Sequence, residues 1–312
     1  MVHSRRAVAA LVRAAAVLRS FASHSCLSRY GRALASHILR KHQPALGPLR
    51  IYELGGGTGR AAYDVLSAIA VSNPAVYASL SYVSVEISAE LAAKQAATCR
   101  PHAARFRVEH RDASTEWTPD ATPCFVLGLE VLDNLPHDRV VRVDGQWHET
   151  RVLDNFEECL SPVADPLIAR CLSHYRPSFL ASRSGIVFLP TTALRLLEAL
   201  QLARPNAHLL FADFDYLPGI RIPGVYAPLV ASQRGGGTTT DHDSYLGSEP
   251  ADVFFPTDFS MLQRMAGARG NVRKSAQFFE ETLTGEELRQ CSTASGFNPL
   301  LDDFPNTRFF TT

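Results

Sequence analysis

Short strand-like stretches at residues 49–54, 81–85, 105–109 and 124–129, the third the weakest, are separated by stretches whose apolar residues recur every three to four positions, so this part of the chain reads as strands alternating with helices. Leu34, Ile38 and Leu39 mark one face of a helix at 30–42, which Pro44, Gly47 and Pro48 then break. Residues 60–72 carry Ala61, Val65, Leu66 and Ile69 at helical spacing and stop near Asn73-Pro74. The Ala, Leu, Lys and Gln content of 89–99 predicts another helix. Residues 124–129 are apolar throughout, as a strand covered on both faces must be. Together these elements predict an α/β fold with a mostly parallel sheet, helices on both faces and right-handed crossovers.

Farther along, the alternation weakens. A hairpin is expected at 140–150 around Asp144-Gly145, then helix and loop at 154–182, a strand at 186–189, a helix at 191–202 and a strand at 207–213. Residues 232–250 are rich in Gly, Thr, Ser and Asp and read as a mobile loop, either a lid or an insertion. Thr284 and Glu287 form a capping box for a helix at 284–294, and 307–311 reads as a final strand. The expected organisation is one domain over 29–312, interrupted by a helical insertion at about 140–185 and the loop at about 232–250.

The chemistry concentrates where strands end, because an open parallel sheet binds ligands beyond the carboxyl ends of its strands. Gly55, Gly57 and Gly59 alternate between the first strand and the following helix, where bare backbone can turn sharply and bring N–H groups to a ligand at the helix's positive end. A dinucleotide fingerprint would place its third glycine at position 60, which is Arg60. Glu53 would repel a pyrophosphate but attract the amino group of an amino-acid-bearing cofactor, so the motif favours S-adenosylmethionine over NAD. Glu86 ends the second strand as an acceptor for ribose hydroxyls, with Ser88 beside it, and Asp112 ends the third as an acceptor for the adenine amino group. After the fourth strand, Glu130, Asp133 and Asn134 stand where an acceptor substrate would lie. Carboxylates there suit a cation, bidentately if it is a guanidinium. Asp133-Asn134 before Pro136 also has the composition of a plain turn, and His137 reads as an orienting or structural residue.

Charge changes the picture only locally. The 31 basic and 31 acidic residues cancel, so no global field recruits nucleic acid or an anionic membrane. Residues 1–52 nevertheless contain nine Lys or Arg and no acid, and the Ala-, Arg- and Ser-rich start, about 1–28, has the composition of a mitochondrial transit segment. Arginines interrupt residues 7–20, so no membrane span is expected. Six scattered cysteines without a C-x-x-C pair read as reduced and mostly buried. The histidines lack ligand spacing, so no metal is expected.

Four segments carry a family resemblance: Tyr52-Glu53-Leu54-Gly55-Gly56-Gly57-Thr58-Gly59, Val85-Glu86-Ile87-Ser88, Glu130-Val131-Leu132-Asp133-Asn134-Leu135-Pro136-His137 and Asp252-Val253-Phe254-Phe255-Pro256-Thr257-Asp258-Phe259. From about residue 28 to the end the chain resembles the MidA family, also called the mitochondrial complex I assembly factor 7 family. The resemblance implies a class I methyltransferase fold using S-adenosyl-L-methionine in the mitochondrial matrix. It also implies symmetric dimethylation of an arginine in a complex I subunit, hence a protein substrate and no nucleic acid, with a homodimer left open. Relative to the family pattern the chain starts close to the glycine motif and ends early, which leaves the last strand or two of the sheet open. Two other classes stand beside this reading: a non-catalytic assembly chaperone that retains the fold, and an NAD-linked oxidoreductase, which Arg60 and Glu53 disfavour.

Overall fold

Parallel strands bury both faces, and the sequence supplies that where the sheet needs it. The computed structural model describes residues 24–115, 117–175, 185–233, 239–247, 250–267 and 270–312. Its chain order begins α1 (His24–Lys41), β1 (Arg50–Leu54), α2 (Arg60–Ser72), β2 (Ser81–Glu86), α3 (Ala89–Thr98), β3 (Phe106–His110) and β4 (Cys124–Leu129). It continues β5 (Asp138–Val143), β6 (Gln146–Val152), β7 (Glu158–Pro162), α4 (Pro166–Ser173), β8 (Ile186–Leu189), α5 (Thr191–Ala203) and β9 (Ala207–Phe214). Last come β10 (Leu229–Gln233), β11 (Thr239–His242), β12 (Asp252–Phe254), α6 (Phe259–Met265), β13 (Asn271–Lys274), α7 (Ser275–Thr282), α8 (Gly285–Arg289) and β14 (Thr307–Thr311). No helix among the described residues is long and apolar enough to cross a membrane.

The chain divides into two compact units. The larger takes the described residues through 131 together with 199–213 and 270–312; the smaller takes 132–198 and 214–269. In the larger unit a seven-stranded sheet runs β13-β14-β9-β4-β1-β2-β3. The pairs β1–β2, β2–β3, β1–β4 and β4–β9 are parallel, and β13–β14 is antiparallel. Both strands left open by the short end of the chain are therefore present. Leu34, Ile38, Ile51, Val65, Leu66, Ile69, Leu127 and Phe309 are fully covered in its core, each worth about 1.5–3 kcal/mol of burial.

The smaller unit contains a four-stranded sheet, β7-β6-β5-β8, and a three-stranded sheet, β11-β10-β12. The insertion expected to be helical thus holds the helix α4 but also the antiparallel strands β5, β6 and β7. Within 154–182, expected as helix and loop, β7 pairs with β6, while 176–182 lie outside the described residues. The pattern misled because β7 is an edge strand with alternating exposure, and its polar residues hide the period. Part of the stretch expected as a mobile loop, 232–250, also pairs: Ser232 faces Thr240 and Ala231 faces Asp241 across β10 and β11, while 234–238 and 248–249 lie outside the described residues. The 284–294 helix is shorter than its pattern, ending as α8, although the Thr284–Glu287 capping box forms as expected.

Helix α1 crosses α2 at Gly31, where a Cβ would stand 2.3 Å from Asp64 Cβ and 3.0 Å from the Val65 nitrogen. Only a bare Cα lets the helices approach so closely. Gly31→Ala is expected to lower the unfolding free energy by about 1–3 kcal/mol in urea titration, as overpacking does; an unchanged midpoint would show that α1 does not depend on this crossing.

Candidate functional site

Strand order reverses at β1: the chain moves outward through β2 and β3 and then returns to the other flank of β1 as β4. A crevice opens at such a switch point because the connections leave in opposite directions. A pocket open to solvent lies there, lined by Tyr30, Glu53, Gly55, Gly56, Gly57, Thr58, Arg60, Ala61, Leu129 and Glu130. Two of the three glycines expected to cradle a cofactor, Gly55 and Gly57, and two of the expected acids, Glu53 and Glu130, thus share one pocket, whereas Gly59 is not in its lining.

Within the turn, Gly55, Gly57 and Gly59 have φ of 61°, 54° and 80°, the left-handed region that a side chain disfavours. No atom comes within 4 Å of where a Gly57 Cβ would stand, so its bare Cα faces open space. Gly59 is the left-handed N-cap of α2 and supplies no capping side chain. The α2 N-terminus thus has no side-chain cap of its own to compete with a ligand.

Glu53 is 2% exposed and lines the pocket. Burial pushes its pKa up to about 7, offset in part by the nearby Tyr82 hydroxyl and reinforced by Glu86. Its Oε2 has no hydrogen-bond partner among the described residues. A carboxylate buried without a cation is suited to an ammonium group, and with the open face of Gly57 it makes these residues fit an aminoacyl nucleoside such as S-adenosylmethionine.

Glu130 follows β4 with φ 54°, unusual for a residue bearing a side chain, and its N–H donates to the Ala212 carbonyl at 2.8 Å. Such strain persists only where the surroundings impose it. Burial, then the neighbouring Asp213, push the Glu130 carboxyl up to about 8. Tyr30, brought in by α1, keeps its phenol protonated through burial and then the charges of Glu130, Asp213 and Glu53. Tyr30 and Asp213 carry no motif of their own; only the packing of α1 and the β4–β9 register reveals them.

The remaining expected residues are more engaged within the protein. Glu86 is fully buried, its Oε1 accepting from the Ser88 N–H and its Oε2 from Gln95 Nε2, both at 2.9 Å. Ser88 is the N-cap of α3, its side chain accepting from the Leu91 N–H. Asp112 Oδ1 accepts from both the N–H and the hydroxyl of Ser114, a local turn at the end of β3. Asp133 and Asn134 belong to the smaller unit. There Asn134 Nδ2 donates to Asp133 Oδ1 at 2.7 Å and the Phe255 N–H donates to the Asp133 carbonyl at 2.8 Å. His137 stacks on Phe255 with centroids 4.0 Å apart, and burial pushes it down to about 4, so it stays neutral. Asp258 caps α6 through the N–H groups of Ser260 and Met261.

These shifts predict how stability depends on pH. Glu53 and Glu130, at about 7 and about 8 in the folded chain, bind more protons folded than unfolded once pH exceeds about 4.3, so their contribution is lost as pH rises through the folded values. His37 and His137, both about 4, act oppositely but only below about 6.5, where unfolded histidine titrates. The ligand-free thermal midpoint is therefore expected to fall between about pH 6.5 and about pH 8.5, less steeply in Glu130→Gln. A midpoint rising over that window would contradict the assignment.

Comparison with known proteins agrees with this geometry. Residues 31–276 match the profile of a family of S-adenosyl-L-methionine-dependent methyltransferases. The chain is 23% identical over 278 residues to the Schizosaccharomyces pombe protein named Protein arginine methyltransferase NDUFAF7 homolog, mitochondrial. That match covers 75% of this chain and 59% of the relative, so the chain spans about three fifths of the relative's length. A Burkholderia thailandensis structure bound to S-adenosyl-homocysteine superposes with a TM-score of 0.65 at 20% identity, covering 91% of this chain and 76% of that one. A native B. thailandensis structure gives 0.65 at 19% identity, over 94% and 81%. At those identities the two structures speak for the fold, a mixed sheet of seven mostly parallel strands. Because the profile spans most of the sequence and includes the glycine turn, the chain belongs to this family of methyltransferases, whose cofactor is S-adenosyl-L-methionine.

Proposed function

We propose that the protein is a mitochondrial protein-arginine N-methyltransferase that symmetrically dimethylates an arginine of a complex I subunit during assembly of that complex. The observation that carries this reading is the pocket in which the glycine turn, Glu53 and Glu130 meet at the switch point. When bound, the cofactor supplies an electrophilic methyl group on a sulfonium. Gly55, Gly57 and Gly59 admit it against bare backbone, Glu53 faces its amino group, and Glu86, Ser88 and Asp112 serve the ribose and adenine end.

Glu130 supports a cationic acceptor. Its carboxyl is raised by burial and by Asp213, and an arriving guanidinium relieves both penalties by restoring the ionised form. In this reading Glu130 orients the guanidinium and accepts the proton lost on transfer, while Asp133 and Asn134 help position the substrate. The protein-arginine substrate and the mitochondrial location also draw on the name of the S. pombe relative.

A second reading is a non-catalytic assembly chaperone that keeps the fold. It draws on one observation: both oxygens of Glu86 already accept hydrogen bonds from within the protein.

Calorimetry with S-adenosyl-homocysteine and transfer of labelled methyl groups to a complex I subunit separate the two. The proposed enzyme binds and transfers to arginine; binding too weak to measure favours the chaperone, and transfer to a non-arginine acceptor sinks the substrate assignment. Gly57→Val is expected to abolish binding at a folding cost of about 1–2 kcal/mol, since the residue is left-handed but not crowded. Glu130→Gln is expected to keep cofactor affinity within about threefold and lower transfer by about 100-fold or more. Asp133→Asn should also bind and fail to transfer; turnover at the wild-type rate would remove either residue from its role.

A further inference from the structure

No sequence motif points to Gln95, yet the parts of the cofactor cradle meet on it. It is fully buried on α3. Its Nε2 donates to Glu86 Oε2 at 2.9 Å and to the Gly57 carbonyl at 3.1 Å, so one amide group holds both the β2 carboxylate and the glycine turn. A Cβ on Gly59 would lie 2.9 Å from Gln95 Cα, so the turn rests directly on the helix backbone.

The other end of the amide looks toward β1. The point where a Cβ of Gly56 would stand is 2.8 Å from Glu53 Oε2, 2.8 Å from Ser84 Oγ and 3.2 Å from Gln95 Oε1. All three oxygens are enclosed, and none has a hydrogen-bond partner among the described residues. The β1–β2 register sets Glu53 opposite Ser84. Neither Ser84 nor Gln95 is part of the pocket lining.

We propose that Gln95 is the positioning residue of the cofactor cradle: one side-chain amide fixes the β2 carboxylate of Glu86 and the glycine turn relative to each other. The proposal rests on the cofactor assignment above. It gives Gly56 a different reason to be glycine from that of its neighbours. Gly56 is not among the left-handed residues, so a methyl there is refused by the three oxygens and not by the backbone.

The test uses the full chain and S-adenosyl-homocysteine. Wild-type binding comes first: its failure sinks the cofactor assignment, whereas the remaining results address Gln95. Gln95→Leu leaves the Glu86 carboxylate and the Gly57 carbonyl without their donor and is expected to weaken binding by about 5- to 150-fold. Should that variant fail to fold, the isosteric Gln95→Glu carries the test through its pH profile. The introduced carboxyl repels Glu86 when ionised and donates to it when protonated, so the deficit relative to wild type is expected to shrink as pH falls. The surrounding titratable groups are Glu53 on β1, Tyr82 and Glu86 on β2, His110 on β3 and Cys99 after α3; they are common to both proteins and enter the ratio only through coupling to the new carboxyl. A ratio constant with pH would overturn the positioning role. Gly56→Ala, whose methyl would press on Glu53 and Gln95, is expected to weaken binding with the fold retained, and unchanged affinity would count against the positioning role of Gln95.

Discussion

A doubly wound open sheet reverses its strand order at one point, and in this chain the reversal falls between β1 and β4. Below that point both faces of the strands are covered: β4 is buried at every position but its last, and Ile51 and Leu127 are inaccessible. Covered strands leave polar backbone and polar side chains available only at their ends. The glycine turn, Glu53 and Glu130 are consequently collected in one crevice by topology, although 70 or more residues separate the ends of that set in the chain.

The crevice is electrostatically unfinished. Glu53 and Glu130 are both raised toward or past neutrality, chiefly by burial, and the next contribution to Glu130 comes from another acid, Asp213. Folding tolerates this because both groups can hold a proton instead of a charge, at a cost that appears as pH-dependent stability. A ligand that brings positive charge reverses the balance, so affinity for cations and loss of stability at higher pH have one origin. The left-handed backbone of Glu130 belongs to the same arrangement: a strained residue at a strand tip presents a carboxylate that an ordinary extended residue would direct elsewhere.

The smaller unit gives physical content to two of the segments that carry the resemblance. Phe255 bonds through its N–H to the Asp133 carbonyl and stacks on His137, which ties 252–259 to 132–137. His137 is buried and neutral, and Asp258 is a helix cap. In this unit these residues therefore have packing and capping roles.

From residue spacing alone, the alternating first half of the sheet, the glycine turn with its acid, the hairpin at Asp144-Gly145 and the Thr284 capping box were all legible, because each depends on neighbours within one turn or one strand. Strands β7 and β11 were not legible, since polar edge strands are stabilised by pairing partners that local composition does not reveal. Nor was the company kept by the chemical groups. Sequence placed Glu86, Ser88 and Asp112 at strand ends, but only tertiary structure turned Glu86 inward onto Gln95, made Ser88 a cap and brought Tyr30 and Asp213 beside Glu130. Local rules decide which backbone forms and where chemistry is available; burial and register, which join residues far apart in the chain, decide what each charge faces.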